Sequence, residues 1–130
     1  MSGPVLDRLD LQVEVSPLTS AELLEARCGE PSAVVRERVI AARACQAARG
    51  WLNARLPAAA LRRVCSLDPQ GNRLFADAVD RGGMSARGVL RAVRVARTIA
   101  DLAGEEQISA LRLAEALQYR AYEARRFALR

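Results

Sequence analysis

Histidine and lysine are both missing from the 130 residues, and the two absences exclude whole classes of chemistry. Without histidine there is no Ser-His-Asp or Cys-His relay to activate a nucleophile, and no His-ligated zinc site. Without lysine there is no G-x-x-x-x-G-K-[ST] phosphate loop and no Schiff-base chemistry. Aromatic residues are scarce too: one Trp, two Tyr and two Phe. A core must therefore be closed by small aliphatic side chains, and in an alanine-rich chain that favours closely packed helices. The three cysteines, Cys28, Cys45 and Cys65, lie far apart with no C-x-x-C spacing. They read as reduced thiols packed in the interior. No apolar run approaches the roughly 20 residues of a membrane span, so the expectation is a cytoplasmic protein with no membrane partner. No catalytic pair of carboxylates and no metal-ligating cluster is visible, so no metal site is expected.

What is present is a chain that is 51% hydrophobic, carries 20 arginines against 15 acidic residues, and has a net charge of +5. That length and composition suit one folded domain, and the basic balance makes a polyanionic partner plausible without saying anything about fold.

Two patterns divide the chain. Near the start, Leu9, Leu11, Val13 and Val15 alternate with Asp10, Gln12 and Glu14, the period-2 mark of a half-buried strand, stopped by Pro17. No second strand is evident, and one strand can neither satisfy its backbone nor bury its apolar face. Residues 1–16 therefore read as an orphan strand cut from a sheet whose other strands are absent. From residue 17 the pattern is helical. A short helix over 19–27 has Thr19 or Ser20 as N-cap and Gly29 as stop. Ser32 caps a long helix ended by Gly50, with Val35, Val39, Ala42 and Cys45 on one face and Arg36, Arg43 and Glu37 elsewhere. Further helices are expected over 58–66 after Pro57, and over 70–81 after Pro69, ended by Gly82-Gly83. Another runs from the Ser85 cap to Gly104, and a last one from the Ser109 cap nearly to the C-terminus. The fold class is thus all-α, a bundle of five or six helices with short connections.

The helix after Ser85, "SARGVLRAVRVARTIADL", places Arg87, Arg91, Arg94 and Arg97 within eleven residues and no acid before Asp101. At about 100° per residue the first three stack on one side, with Arg97 flanking them. Val89, Val93, Ala96, Ile99, Ala100 and Ala103 take the opposite side and face the core. On this reading the stripe is left outside the bundle. It is either a solvated face or a phosphate contact, since the planar guanidinium fork bonds phosphate bidentately. Arg87 lies in the first turn, where the helix N-terminus also favours an anion. Asp101 can pair with Arg97 at i,i+4, worth a few tenths of a kcal/mol on an exposed helix. Glu105 and Glu106 read as loop charge, and Trp51 as a packing residue at a helix end.

Several separated motifs carry a resemblance. "SGPVLDRLDLQVEV" at 2–15 resembles the end of the ATPase core in magnesium-chelatase-like AAA+ proteins. "MSARGVLRAVRVARTIADLAG" followed by "LAEALQYR" resembles the helical lid of that family, close to the bacterial competence ComM group. "SAVVRERVIAARACQ" and the "NARL" at 53–56 fit the same pattern. The resemblance implies that 1–16 are the end of an α/β ATPase core that lies upstream, and that 17–130 form its C-terminal lid. It places Arg87 at the sensor 2 position, reaching the terminal phosphates of ATP held with Mg²⁺ mainly by the core. Arg91 and Arg94 are further candidate nucleotide contacts. Arg94 and Arg97 also fit the family pattern, with holding the lid against the core or a neighbour as their alternative role. Arg8 matches the arginine finger directed at ATP of a neighbouring subunit in a homo-oligomeric ring. Local pairing with Asp7 or Asp10 is its alternative. Walker A, Walker B and sensor 1 are not in these 130 residues, so the chain alone is not expected to be an enzyme, only part of an ATPase. The implied work is DNA processing, or metal insertion into a porphyrin. Two other readings compete: a basic helical module on nucleic-acid phosphates, and a purely structural oligomerisation wedge.

Overall fold

The computed structural model describes residues 9–25, 29–81 and 84–120. They form six α-helices: α1 Ser20–Glu25, α2 Ser32–Ala48, α3 Ala58–Val64, α4 Pro69–Asp80, α5 Ala86–Leu102 and α6 Ala110–Gln118, with a 3-10 turn, Asn53–Arg55, between α2 and α3. No sheet occurs among the described residues, so the all-α expectation holds. One isolated parallel bridge joins Leu67 to Ile108, held by Ile108 N–H to Ser66 O (2.9 Å) and Asp68 N–H to Ile108 O (3.1 Å). The sequence pattern does not announce this pair, because a one-residue bridge has no periodicity.

α5 is the axis of the bundle and packs on α6, α2 and α4. Its Val89, Ala92, Ala96 and Ala100 are wholly buried, as are Ile108, Leu113 and Ala116. Alanines spaced four apart present a smooth strip, which lets α6 approach closely enough for Leu113 to fill the space without large aromatics. Complete burial of a side chain such as Leu113 or Ile108 contributes about 1.5–3 kcal/mol. Ile99 is only partly buried and Ala103 is exposed, because the helix ends at Leu102 and Ala103 already turns away as its C-cap.

The helix ends follow local chemistry with some exchanges of role. Thr19 and Glu22 form a reciprocal capping box on α1, Glu22 N–H to Thr19 Oγ1 (3.3 Å) and Thr19 N–H to Glu22 Oε2 (2.8 Å). α2 is capped by Pro31 rather than Ser32. The Pro31 carbonyl takes the N–H groups of Val34 and Val35, leaving Ser32 as the first helical residue. Gly50, at φ 78°, supplies the left-handed residue that lets the chain leave α2. Asp68 caps α4 through Gly71 N–H (2.5 Å), and its other oxygen accepts Ala110 N–H (3.3 Å), the first amide of α6. The hydroxyl of Ser109, the expected cap, instead donates to Glu105 (3.5 Å). One carboxylate thus holds the starts of two helices. Asp68→Ala is expected to cost about 1–3 kcal/mol, measured by chemical denaturation, because two N–H groups lose their acceptor together. α4 ends at Asp80 and α6 at Gln118; Gly82-Gly83 and 121–130, where the sequence pattern places a helix stop and the end of the last helix, lie outside the described residues.

One expectation for the N-terminal third is corrected. The buried stripe of α2 runs through Ala42 and Gln46 instead of Cys45, because four residues, not three, return the chain to the same side near its C-terminal end. Cys45 is therefore exposed, while Cys65 is buried; Cys28 is outside the described residues. Burial pushes the Cys65 thiol up to about 11. In a Cys28→Ser background, a thiol reagent at neutral pH should label Cys45 quickly and Cys65 only on unfolding. Residues 9–19 form neither helix nor strand ladder. Gln12 N–H donates to Tyr119 O (2.9 Å), and Leu9, Leu11, Val13 and Val15 all remain exposed. The alternation is present, but its apolar side faces away from the bundle.

Candidate functional site

The four arginines of α5 are not a uniform stripe. Ser85 caps the helix through Gly88 N–H (3.0 Å) and orients its first turn. Arg87, in that turn, is exposed and makes no hydrogen bond or ion pair with a described residue. Arg91, one turn on, lies 3.4 Å from the carboxylate of Asp10, so the extended N-terminal segment covers it. Arg94 donates to the carbonyl of Leu56 (3.1 Å) just before α3, and its Nε is buried without a partner. Arg97 is only 1% exposed. The expectation that the bundle leaves this face open therefore fails in its second half. There α2 and the 3-10 turn pack over α5 and bring their own polar groups to meet the arginines.

Those groups converge on Asp101, also almost fully buried. Arg49 grips both carboxylate oxygens, Nη1 to Oδ1 at 2.8 Å and Nη2 to Oδ2 at 2.5 Å. Asn53 Nδ2 donates to Oδ2 (2.7 Å) and Arg97 Nε to Oδ1 (3.0 Å). Arg97 spends its remaining donors on backbone, the carbonyls of Glu106 (2.6 Å) and Glu105. Asn53 also reaches Thr98 (3.1 Å), and its N–H is held by the Gln46 side chain (3.2 Å). The i,i+4 pair foreseen as a minor surface contact is thus the centre of a buried network binding α2, the 3-10 turn, α5 and the loop before α6. Burial works to raise the Asp101 pKa, but hydrogen bonds from Arg49 and Asn53, and the charges of Arg97 and Arg49, more than reverse it and hold it below the ordinary value. Glu105 is more than loop charge: its carboxylate takes Arg112 at 2.8 and 3.0 Å and is lowered by that bond.

Sequence reasoning did not assign Arg49, Asn53 and Gln46. The available signal was Asn53 within the "NARL" motif, a side chain with donors and an acceptor at a turn beside a long helix. Arg8 lies outside the described residues. Trp51 is 45% exposed at the end of α2, with its amide on Gln46 O (3.3 Å). Beside the first turns of α5 an open groove of about 510 Å³ is lined by Leu61, Arg62, Asn72, Phe75, Leu90 and Val93. Among the described residues no group of three Cys, Asp or Glu side chains could hold a metal ion, and no helix is long and apolar enough to cross a membrane.

Comparison with known proteins gives a family and several relatives. The family described as "Magnesium chelatase, subunit ChlI C-terminal" matches residues 29–120, from α2 through α6. Competence protein ComM of Haemophilus influenzae is 44% identical over 123 residues, covering 93% of this chain and 24% of that protein. YifB of Salmonella typhimurium is 43% identical over 126 residues, covering 95% and 25%. YifB of Escherichia coli is 39% identical over the same length. The chain spans about a quarter of the length of these relatives. An α-helical bundle organised on α5, matched from α2 to α6 and similar to ComM and YifB, belongs to the magnesium-chelatase ChlI C-terminal family, the helical lid domain of ComM/YifB-like proteins.

Proposed function

We propose that this domain closes over ATP bound by the AAA+ core of a ring-forming ComM-like ATPase, with Arg87 as the sensor 2 arginine touching the terminal phosphates. The observation that carries the reading is the inequality of the four arginines. Among the four, Arg87 alone is exposed and bonds no described residue, and it sits in the capped first turn where the helix N-terminus adds attraction for an anion. Arg91 and Arg94 are second contacts if lid closure exchanges Asp10 and the Leu56 carbonyl for phosphate oxygens. Nothing in this domain holds Mg²⁺ in the proposal; the metal is carried with ATP by the core. Arg87 stabilises charge on the transferring phosphoryl group, and lid movement gates turnover. Arg8 reaches ATP of the neighbouring subunit by the family resemblance.

The substrate class proposed for the intact machine is DNA, in the cytoplasm. The support is similarity to a protein named for competence; the alternative, metal insertion into a porphyrin, rests on the name of the family. A row of nucleic-acid phosphate contacts along α5 gains no support, because Arg97 is buried and Arg94 is committed to the chain. Steady-state ATP hydrolysis by the full-length polypeptide, wild type against Arg87→Ala, with assembly followed in parallel, tests the assignment. Lost assembly with retained hydrolysis per assembled subunit would make the domain an oligomerisation wedge instead. Stimulation of hydrolysis by single-stranded DNA is the expected sign of the DNA role.

A further inference from the structure

α2 is only half used by the bundle. Ala42 and Gln46 are buried against it, whereas every residue from 32 to 41 is exposed. The same helical stripe continues upward through Val39 and Val35, 44% and 39% exposed, with Val34 and Ile40 beside it. Among the described residues, eleven of the sixteen large apolar side chains that stay exposed fall within residues 9–40. An apolar stripe left uncovered along one helix, in line with its buried end, marks an interface, not a solvated face. From this geometry we infer that the N-terminal half of α2 is the docking face for the remainder of the longer polypeptide, received by an apolar patch rimmed with carboxylates.

Three observations select that occupant. The stripe is continuous with an interface already formed at Ala42 and Gln46, so one helix serves two packing partners end to end. The relatives devote about three quarters of their length to parts outside this match, so the family carries the domain next to a large neighbouring unit. The charges flanking the stripe are Arg36 and Arg43, together with Arg38 paired to Glu30 at 2.5 Å, against Glu37. Pairing α2 with its own copy would set like charges together, while an acidic rim would complement them. The inference rests on the lid reading only in placing a core beside this domain, and it does not depend on Arg87.

Amide hydrogen exchange over residues 32–41 tests it, in the 130-residue chain alone and in the full-length polypeptide. The expected result is at least tenfold slower exchange in the longer polypeptide, abolished by Val35→Gln with Val39→Gln, while the same double variant leaves the helicity and melting midpoint of the 130-residue chain unchanged. Equal exchange in both polypeptides would overturn the inference, and so would protection in the short chain that rises with its concentration, which would make the occupant a second copy. Collapse of the short double variant would also overturn it, by showing the valines to be core. ATP hydrolysis measured on the same preparations separates the failures, since Arg87→Ala can abolish turnover whether or not α2 is covered.

Discussion

Arg87→Ala is expected to lower ATP hydrolysis by the full-length polypeptide by about 10²-fold or more, the loss found when one preorganised donor to a developing charge is removed. The domain itself should be indifferent to the change. Arg87 is exposed and bonds no described residue, and a surface substitution of that kind shifts stability by no more than about 0.5 kcal/mol. Unfolding midpoints of wild type and variant should therefore coincide while turnover collapses. Arg87→Lys should restore only part of the rate, because an ammonium keeps the charge but not the bidentate fork. Hydrolysis within a few-fold of wild type in Arg87→Ala would remove Arg87 from the nucleotide site.

Asp101→Ala should have the largest effect on stability, about 3–5 kcal/mol, because it leaves the Arg97 charge buried and strips Arg49 and Asn53 of their common acceptor. Chemical denaturation measures it. A double-mutant cycle with Arg97→Met should show strong coupling, since removing the second charge relieves part of the penalty left by the first. The pH dependence follows from the direction of the shift. Asp101 is held below its ordinary value in the fold, so the unfolded chain binds the proton more readily. Its contribution is complete above the unfolded carboxyl value of about 3.9, and is lost as pH falls below that toward the folded value. Wild-type stability should therefore drop in acid below about pH 4, and Asp101→Asn should lack that component. An acid profile identical in both proteins would show that the carboxylate is not the centre of the network.

The helices were legible because their signals are local. The Thr19–Glu22 capping box, the Ser85 cap and the glycine after α2 act over three or four residues, and the apolar spacing of α5 directly names Val89, Val93, Ala96 and Ala100 as core. The exposed place of Arg87 in the capped first turn was legible for the same reason. The environment of the other arginines was not. Spacing puts Arg94 and Arg97 near Arg87 on a helical wheel, but it carries no information about Arg49, 48 residues earlier, or about the carbonyls of Leu56 and Glu106. The same limit explains Ser109, which sits at the cap position while a carboxylate 42 residues away takes the amide.

By itself the sequence determined that this is an α-helical domain without histidine or lysine chemistry, with an arginine at the capped start of its central helix. Tertiary structure alone decided which arginines remain available. Covering the far half of α5 with α2 and the 3-10 turn costs the solvation of each charge it buries, so Asp101 and the nearby carbonyls must meet Arg97 and Arg94 there. Among the described residues no such cover reaches the first turn, and Arg87 stays exposed there.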